Sequence, residues 1–179
     1  AFGGVLICNR EVDEKTAKEI DKLFFEVLIA PLFSKEALHK LSSKKNRILL
    51  KRKNIELPTK QFKSLLNGII EQDKDLKTEL PNRLKTVTDR KPKKEELKDL
   101  SFANKIVKHT KSNAIVLTKD ATLLASGIGQ TSRVDALRQA IAKAEALDFD
   151  LQGGIMASDA FFPFADCIKL AADAGIALV

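Results

Sequence analysis

The chain is 179 residues long and 44% hydrophobic, enough to build one ordinary core or two small ones and too apolar for disorder over its whole length. Its 31 Lys+Arg against 24 Asp+Glu give a formal charge of +7, which favours anionic partners in general. The basic clusters at Lys44, Lys45, Arg47, Lys51, Arg52 and Lys53 and at Arg90, Lys91, Lys93 and Lys94 have no tryptophan or tyrosine among them to stack bases, so solvated faces are expected there and a nucleic-acid partner is not.

No apolar run approaches about 18 residues and no secretory signal opens the chain, so a soluble protein with no membrane partner is expected. Cys8 and Cys167 lie in apolar segments without CxxC spacing. Buried free thiols in a reducing cytoplasm fit that pattern.

In chain order, Val5-Leu6-Ile7-Cys8 is a short continuous apolar run that predicts a strand covered on both faces. Asp13 is placed to cap a helix whose apolar face runs through Ile20, Leu23 and Phe24 and which ends at Glu26. Val27-Leu28-Ile29-Ala30 predicts a second buried strand, closed by Pro31, and Ser34 caps a helix with Ala37, Leu38 and Leu41. Arg47 to Leu50 makes a third strand.

The stretch from Lys51 to Arg90 is lysine-rich and weakly periodic, with one apolar segment at Leu65-Leu66-Asn67-Gly68-Ile69-Ile70; it reads as a hairpin or an irregular linker. Pro92 fits the first residue of a helix through Leu97, Leu100, Ala103, Ile106 and Val107. Residues 114–117 and 122–126 form a strand pair around a turn at Lys119-Asp120, and a helix follows with Val134, Leu137, Ile141 and Ala144 on one face. Gly153-Gly154 makes a loop, Cys167, Ile168, Leu170 and Ala171 lie on another helix stopped by Gly175, and Ile176 to Val179 begin a strand. The alternation predicts an α/β protein with mixed sheets.

Three places carry candidate chemistry. Asn113, in Lys111-Ser112-Asn113 at a strand entrance, offers a donor and an acceptor to a ligand amide or carbonyl, although asparagine there is also a common turn residue. Gly127-x-Gly129-x-x-Ser132-Arg133 combines small residues that admit a close ligand, a helix start, and the charged fork of Arg133. It has neither the third glycine of the dinucleotide fingerprint nor the lysine of a P-loop.

The third place is Ser158-Asp159-Ala160-Phe161-Phe162-Pro163-Phe164-Ala165-Asp166. Pro163 keeps Phe162 extended, so some of the rings must face a pocket or an interface. Asp159 and Asp166 are a possible carboxylate pair; in the structural reading Asp159 caps a turn and Asp166 caps the next helix. His39 and His109 are widely separated, with no HxE motif, which disfavours a zinc hydrolase or deaminase.

These motifs, together with Ala1-Phe2-Gly3-Gly4, the stretches from Glu26 to Pro31 and from Val87-Thr88 through Pro92, and Lys111-Ser112-Asn113-Ala114 and Gly129-Gln130-x-Ser132-Arg133, resemble in content and order the AICAR transformylase domain of the bifunctional purine-biosynthesis proteins that also carry IMP cyclohydrolase. The resemblance implies two cytidine-deaminase-like units joined by a helical or irregular linker: residues 1–90 as a partial first unit with the lysine-rich linker, and residues 91–179 as a second unit truncated at its C-terminus. It further implies a homodimer with ligands at the subunit interface, and transfer of the formyl group of 10-formyltetrahydrofolate, a cosubstrate, to the amine of AICAR, giving FAICAR.

By the same resemblance, Gly3, Glu26, Asn113 and Phe161 surround the AICAR ring and ribose, with Phe161 as a stacking surface, and Arg133, Val134 and Asp166 lie on the folate side. Ala165 departs from the basic residue or proline commoner in the family, and Ala121-Thr122-Leu123 from its usual hairpin. The family's catalytic Lys-His pair falls ahead of Ala1 and its Pro-Gly-Gly-Ser turn beyond Val179, and Lys108-His109 does not match the pair. An internal portion that supplies binding residues, with Asn113 assisting, is therefore expected. The competing reading is a non-catalytic basic binding or scaffold module of the same fold.

Overall fold

The computed structural model describes residues 2–78 and 83–179. Ala1 of the opening motif and residues 79–82 of the lysine-rich stretch lie outside the described residues. The chain is mixed α/β and divides into two units, Ala1–Lys74 and Asp75–Val179.

In the first unit β1 (Gly4–Ile7), β2 (Phe25–Ala30) and β3 (Ile48–Lys51) form a parallel sheet in that order, with α1 (Glu14–Asp21) and α2 (Lys35–Leu41) as the crossovers. Both helix starts follow from side-chain chemistry. Asp13 Oδ1 accepts the Thr16 N–H at 2.8 Å, and Ser34 Oγ accepts the Ala37 N–H at 3.1 Å. Ala17, Ala37 and Leu41 then pack with Phe25, Leu28 and Ala30, joined at the edge by Leu6 and Leu49.

Three expectations are corrected here. The strand 5–8 was expected to be covered on both faces, but only the Leu6 side is packed; Val5 and Ile7 are 56% and 70% exposed, and Ile48 and Leu50 continue the same open face. Helix α1 stops at Asp21, so Leu23 and Phe24 are exposed beyond it. Glu26 ends no helix: the apolar run Phe25–Ala30 is satisfied as a strand between two neighbours, and Glu26 is its second residue.

Arg47 was expected to open the third strand and to belong to a solvated basic cluster. Strand β3 begins one residue later, and the Arg47 side chain is 5% exposed, with Cζ 4.3 Å from the centre of the Phe25 ring and Nη1 donating to Asp21 Oδ1 at 2.6 Å. That bond, helped by Lys44 and Lys40 against partial burial, holds the Asp21 carboxyl down at about 2 from its ordinary 3.8. A depressed carboxyl stabilises the fold in full above its ordinary value and loses that contribution as pH falls through the folded-state value. Asp21→Asn should therefore flatten the loss of stability between about pH 4 and pH 2, as read by urea unfolding across that range; an acid profile like that of the parent chain would remove Asp21 as its source.

The lysine-rich stretch contains an antiparallel hairpin, β4 (Lys60–Leu65) with β5 (Gly68–Asp73), paired from Lys60↔Asp73 to Leu65↔Gly68 around Leu66-Asn67. The hairpin alternative is thus realised.

The second unit is built on an antiparallel sheet in the order β7 (Thr122–Gly127), β6 (Ile115–Lys119), β8 (Ile155–Ser158). The central strand is buried on both faces. Ile115 and Leu117 meet α4 (Arg133–Ala146) and α5 (Asp166–Asp173), while Ala114 and Val116 meet Ala103 and Val107 of α3 (Lys94–Val107). The 120–121 turn has positive φ at both Asp120 and Ala121, and their N–H groups are anchored at 2.8 Å by the Asp99 carboxylate of α3.

Pro92 precedes the helix cap instead of opening the helix: Lys93 is the N-cap, its N–H donating to Glu96 Oε2 at 2.7 Å. Strand β8 is not anticipated from the sequence, and beyond Gly175 (φ +83°) the chain makes only a single bridge, Leu178 to Ile155, where a strand was expected. Among the described residues no helix is long and apolar enough to cross a membrane.

Candidate functional site

The β6–β7 hairpin returns the chain to the end of the sheet where it entered, and this brings Asn113 and Arg133 to the same end. Asn113 and Gln130 exchange backbone hydrogen bonds at 3.2 and 3.3 Å, and the Gly129 N–H donates to Lys111 O at 2.8 Å. Gly129 has φ +67°, a conformation glycine adopts without strain. Gly127 serves a different purpose from the ligand approach expected of it: a Cβ there would meet the backbone of Ala136, so its missing side chain admits helix α4.

The Asn113 side chain is fixed by the same turn. Nδ2 donates to Gln130 O at 3.0 Å and to Thr131 O at 3.2 Å. Two carbonyls facing one end of the amide identify that end as nitrogen. Ser132 then caps α4 through the Asp135 N–H at 3.1 Å, and Arg133 opens the helix. Its Nε donates to Ser158 Oγ at 2.7 Å and its Nη2 to Asp159 Oδ1 at 3.1 Å.

Asp159 also accepts the Ala114 N–H at 2.8 Å and the Ser112 hydroxyl. Burial raises its carboxyl pKa, but the bonds from Ser112 and Ala114 and the Arg133 guanidinium outweigh burial and hold it below the usual value. Ser112, Ser158 and Asp159 line an open cavity of about 450 Å³ with Asn104, Lys108 and Thr110.

Asp166 does not share this cluster of bonds. It is exposed, and it is the first residue of α5, with Ala165 as the N-cap, so the expected cap at Asp166 is corrected; its Oδ1 accepts the Cys167 N–H at 2.7 Å. Cys167 is buried and its thiol pKa is pushed up, first by burial and then by Asp166, whereas Cys8 is only half-buried.

Val134 packs partly against the α4 core. Of the three rings, Phe162 packs on that core, and Phe161 and Phe164 point out, Phe161 being 79% exposed. Phe162→Ala should therefore cost about 2 kcal/mol and Phe161→Ala less than about 0.5 kcal/mol in urea unfolding. The reverse order would show that the rings are assigned to the wrong sides.

In the first unit, Glu26 Oε2 accepts the N–H of Gly3 at 2.9 Å and of Phe2 at 2.8 Å, and the Gly3 bond leads in holding the Glu26 carboxyl below its ordinary value. A Cβ on Gly3 would lie 2.9 Å from Phe24 Cε1 and 3.0 Å from Glu26 Cγ. The structure thus joins Gly3 to Glu26 in one unit and, in the other, ties Arg133 through Asp159 to Ser112 and Ala114, the residues on either side of Asn113. Ser158 stands in the third candidate stretch but is given no role of its own there, and nothing local to it marks a partner 25 residues away.

The model of the family described as AICARFT/IMPCHase bienzyme matches residues 1–143. The bifunctional purine biosynthesis protein PurH of Bacteroides thetaiotaomicron is 60% identical over 179 residues, covering 100% of this chain and 35% of its own length. The proteins of the same name from Persephonella marina and Aquifex aeolicus are each 46% identical, over 98% and 100% of this chain and 34% and 35% of their own. The chain spans about a third of the length of these curated relatives. With the family model matched over residues 1–143 of 179, the chain belongs to the AICARFT/IMPCHase bienzyme family.

Proposed function

We propose that this chain is the portion of a formyltransferase that binds AICAR and 10-formyltetrahydrofolate for formyl transfer in purine biosynthesis, acting in the cytoplasm as part of a homodimer built from deaminase-like units. Gly3, Glu26, Asn113 and Phe161 surround AICAR in this reading, and Arg133, Val134 and Asp166 take the folate side. The observation that carries it is the Asn113 amide. Its nitrogen is committed to two backbone carbonyls, while among the described residues no donor reaches Oδ1. A fixed carbonyl acceptor suits an amine N–H. The AICAR amine is a poor nucleophile because its lone pair is drawn into the ring and carboxamide, so an acceptor that orients it lowers the barrier to attack on the formyl carbon. The Arg133 fork supplies donors for the folate, and the outward Phe161 ring supplies a stacking face.

The test replaces the corresponding third of the Bacteroides thetaiotaomicron relative by this chain and follows FAICAR formation from AICAR and 10-formyltetrahydrofolate. Turnover within about tenfold of the parent protein is expected. Salt-sensitive nucleic-acid binding with no FAICAR formed would overturn the reading in favour of a basic scaffold.

A further inference from the structure

We propose that Asp159, seconded by Ser158, is a positioning residue that fixes the Arg133 guanidinium and the strand entrance carrying Asn113 in one mutual arrangement. The inference rests on the formyltransferase reading only for the ligand that this arrangement would hold.

Asp159 sits just past β8, 14% exposed, and the Arg133 side chain is 11% exposed. A carboxylate so placed needs its lone pairs filled, and the donors come from far along the chain: Ser112 and Ala114 are 47 and 45 residues away, and Arg133 is 26. A turn or helix cap would draw on donors two or three residues distant. Asp159 is therefore a tie between segments, and a local cap does not describe it.

Its two strand partners are the residues on either side of Asn113. Asp159 brackets Asn113 through the Ser112 hydroxyl and the Ala114 N–H, while the Asn113 amide reaches the carbonyls of Gln130 and Thr131. The residue that would face the substrate is thus pinned through its neighbours on one side and through its own amide on the other.

The effect on Arg133 is as specific. With Nε on Ser158 and Nη2 on Asp159, the guanidinium is gripped along one edge. Among the described residues Nη1 has no acceptor, so the tie selects which edge of the fork faces a ligand. It also offsets the positive charge. The end of the fork formed by Nη1 and the second Nη2 proton stays open to a ligand oxygen.

The test uses the ¹⁵N-labelled chain and reads hydrogen exchange at the Arg133 Nε–H, with the exposed Arg138, paired to Asp135, as an internal reference. In the parent chain the Arg133 Nε–H should exchange at least about tenfold more slowly than that of Arg138. Asp159→Asn should remove most of that difference and shift the Asn113 amide resonances, and should weaken binding of 5-formyltetrahydrofolate by about tenfold. Asp159→Glu keeps the charge and displaces it, and it should fail to restore either property.

A side chain important only for stability would lower the melting temperature and leave Arg133 exchange in the folded protein unchanged. Equal exchange at Arg133 and Arg138 in the parent chain, or unaltered Arg133 exchange in Asp159→Asn, would overturn the proposal. Should Asp159→Asn not fold, Asp159→Glu gives the same readout, because it displaces the Nη2 acceptor and leaves the Ser158 bond to Nε in place. Absence of folate binding by the parent chain would count against the formyltransferase reading, while Arg133 exchange would still decide the positioning role.

Discussion

Gly127→Val should abolish the cooperative unfolding of the second unit. Gly127 closes β7 opposite Ile115, and a Cβ at this position would run into the Ala136 carbonyl, with the Ala136 Cα only 2.9 Å away. The obstruction is backbone, so no rotamer change relieves it. Nor can the helix withdraw cheaply, because Ala136, Leu137, Ala140 and Ala144 are all buried against the sheet and Lys143 reaches Ser126 O at 2.8 Å. Pushing α4 outward opens that whole contact, and the cost should exceed about 4 kcal/mol, beyond the usual range for a point substitution. Gly68→Ala is the control, since nothing lies within 4 Å of a Cβ built there, and it should stay within about 0.5 kcal/mol of the parent. Urea unfolding followed by far-ultraviolet circular dichroism separates the two. An unchanged midpoint for Gly127→Val would mean that the strand and helix do not meet at this point.

What could be read in advance was mostly what neighbours in sequence decide. Asp13 and Ser34 announce their helices because a capping side chain acts within three residues. The run at 114–117 announces a strand, and β6 covers most of it; its burial on both faces appears only in the fold. Glu26 was misplaced because Ile20, Leu23 and Phe24 keep a helical spacing into a segment that two neighbouring strands then claim. The open side of β1 was equally hidden, since an apolar run does not say how many layers its own chain supplies to cover it.

At the site, Asn113 and Arg133 were legible as residue types in turn and helix-start positions. Two things were not. Gly127 and Gly129 look alike in sequence, yet one accommodates a helix and the other a positive φ. The Arg133–Asp159 tie joins residues 26 apart, and only the folded sheet shows that it replaces the carboxylate pair weighed for Asp159 and Asp166.

In the chimera of this chain with its Bacteroides relative, Asn113→Asp should lower kcat by about 10²- to 10³-fold, the range seen when one fixed polar group is removed from a reacting centre. The substitution is nearly isosteric and preserves an acceptor, so loss of volume cannot explain the effect. What changes is the end facing Gln130 O and Thr131 O, where a donor at 3.0 and 3.2 Å becomes a carboxylate oxygen. Two hydrogen bonds are lost and two repulsions take their place. The carboxylate turns away from the carbonyls, and the remaining acceptor no longer points where the amide held it. Because the residue is only partly buried, the stability cost should be modest, about 1–3 kcal/mol. Asn113→Ala should lose a similar amount of stability and at least as much turnover. A plain turn residue predicts the opposite balance: stability falls by the same amount in both variants, and kcat in the folded fraction stays within about twofold of the parent. Measuring kcat and KM beside urea midpoints for the two variants distinguishes these outcomes, because the hydrogen bonds to the turn are lost in both, while only in a catalytic setting does the direction of one carbonyl oxygen set the rate.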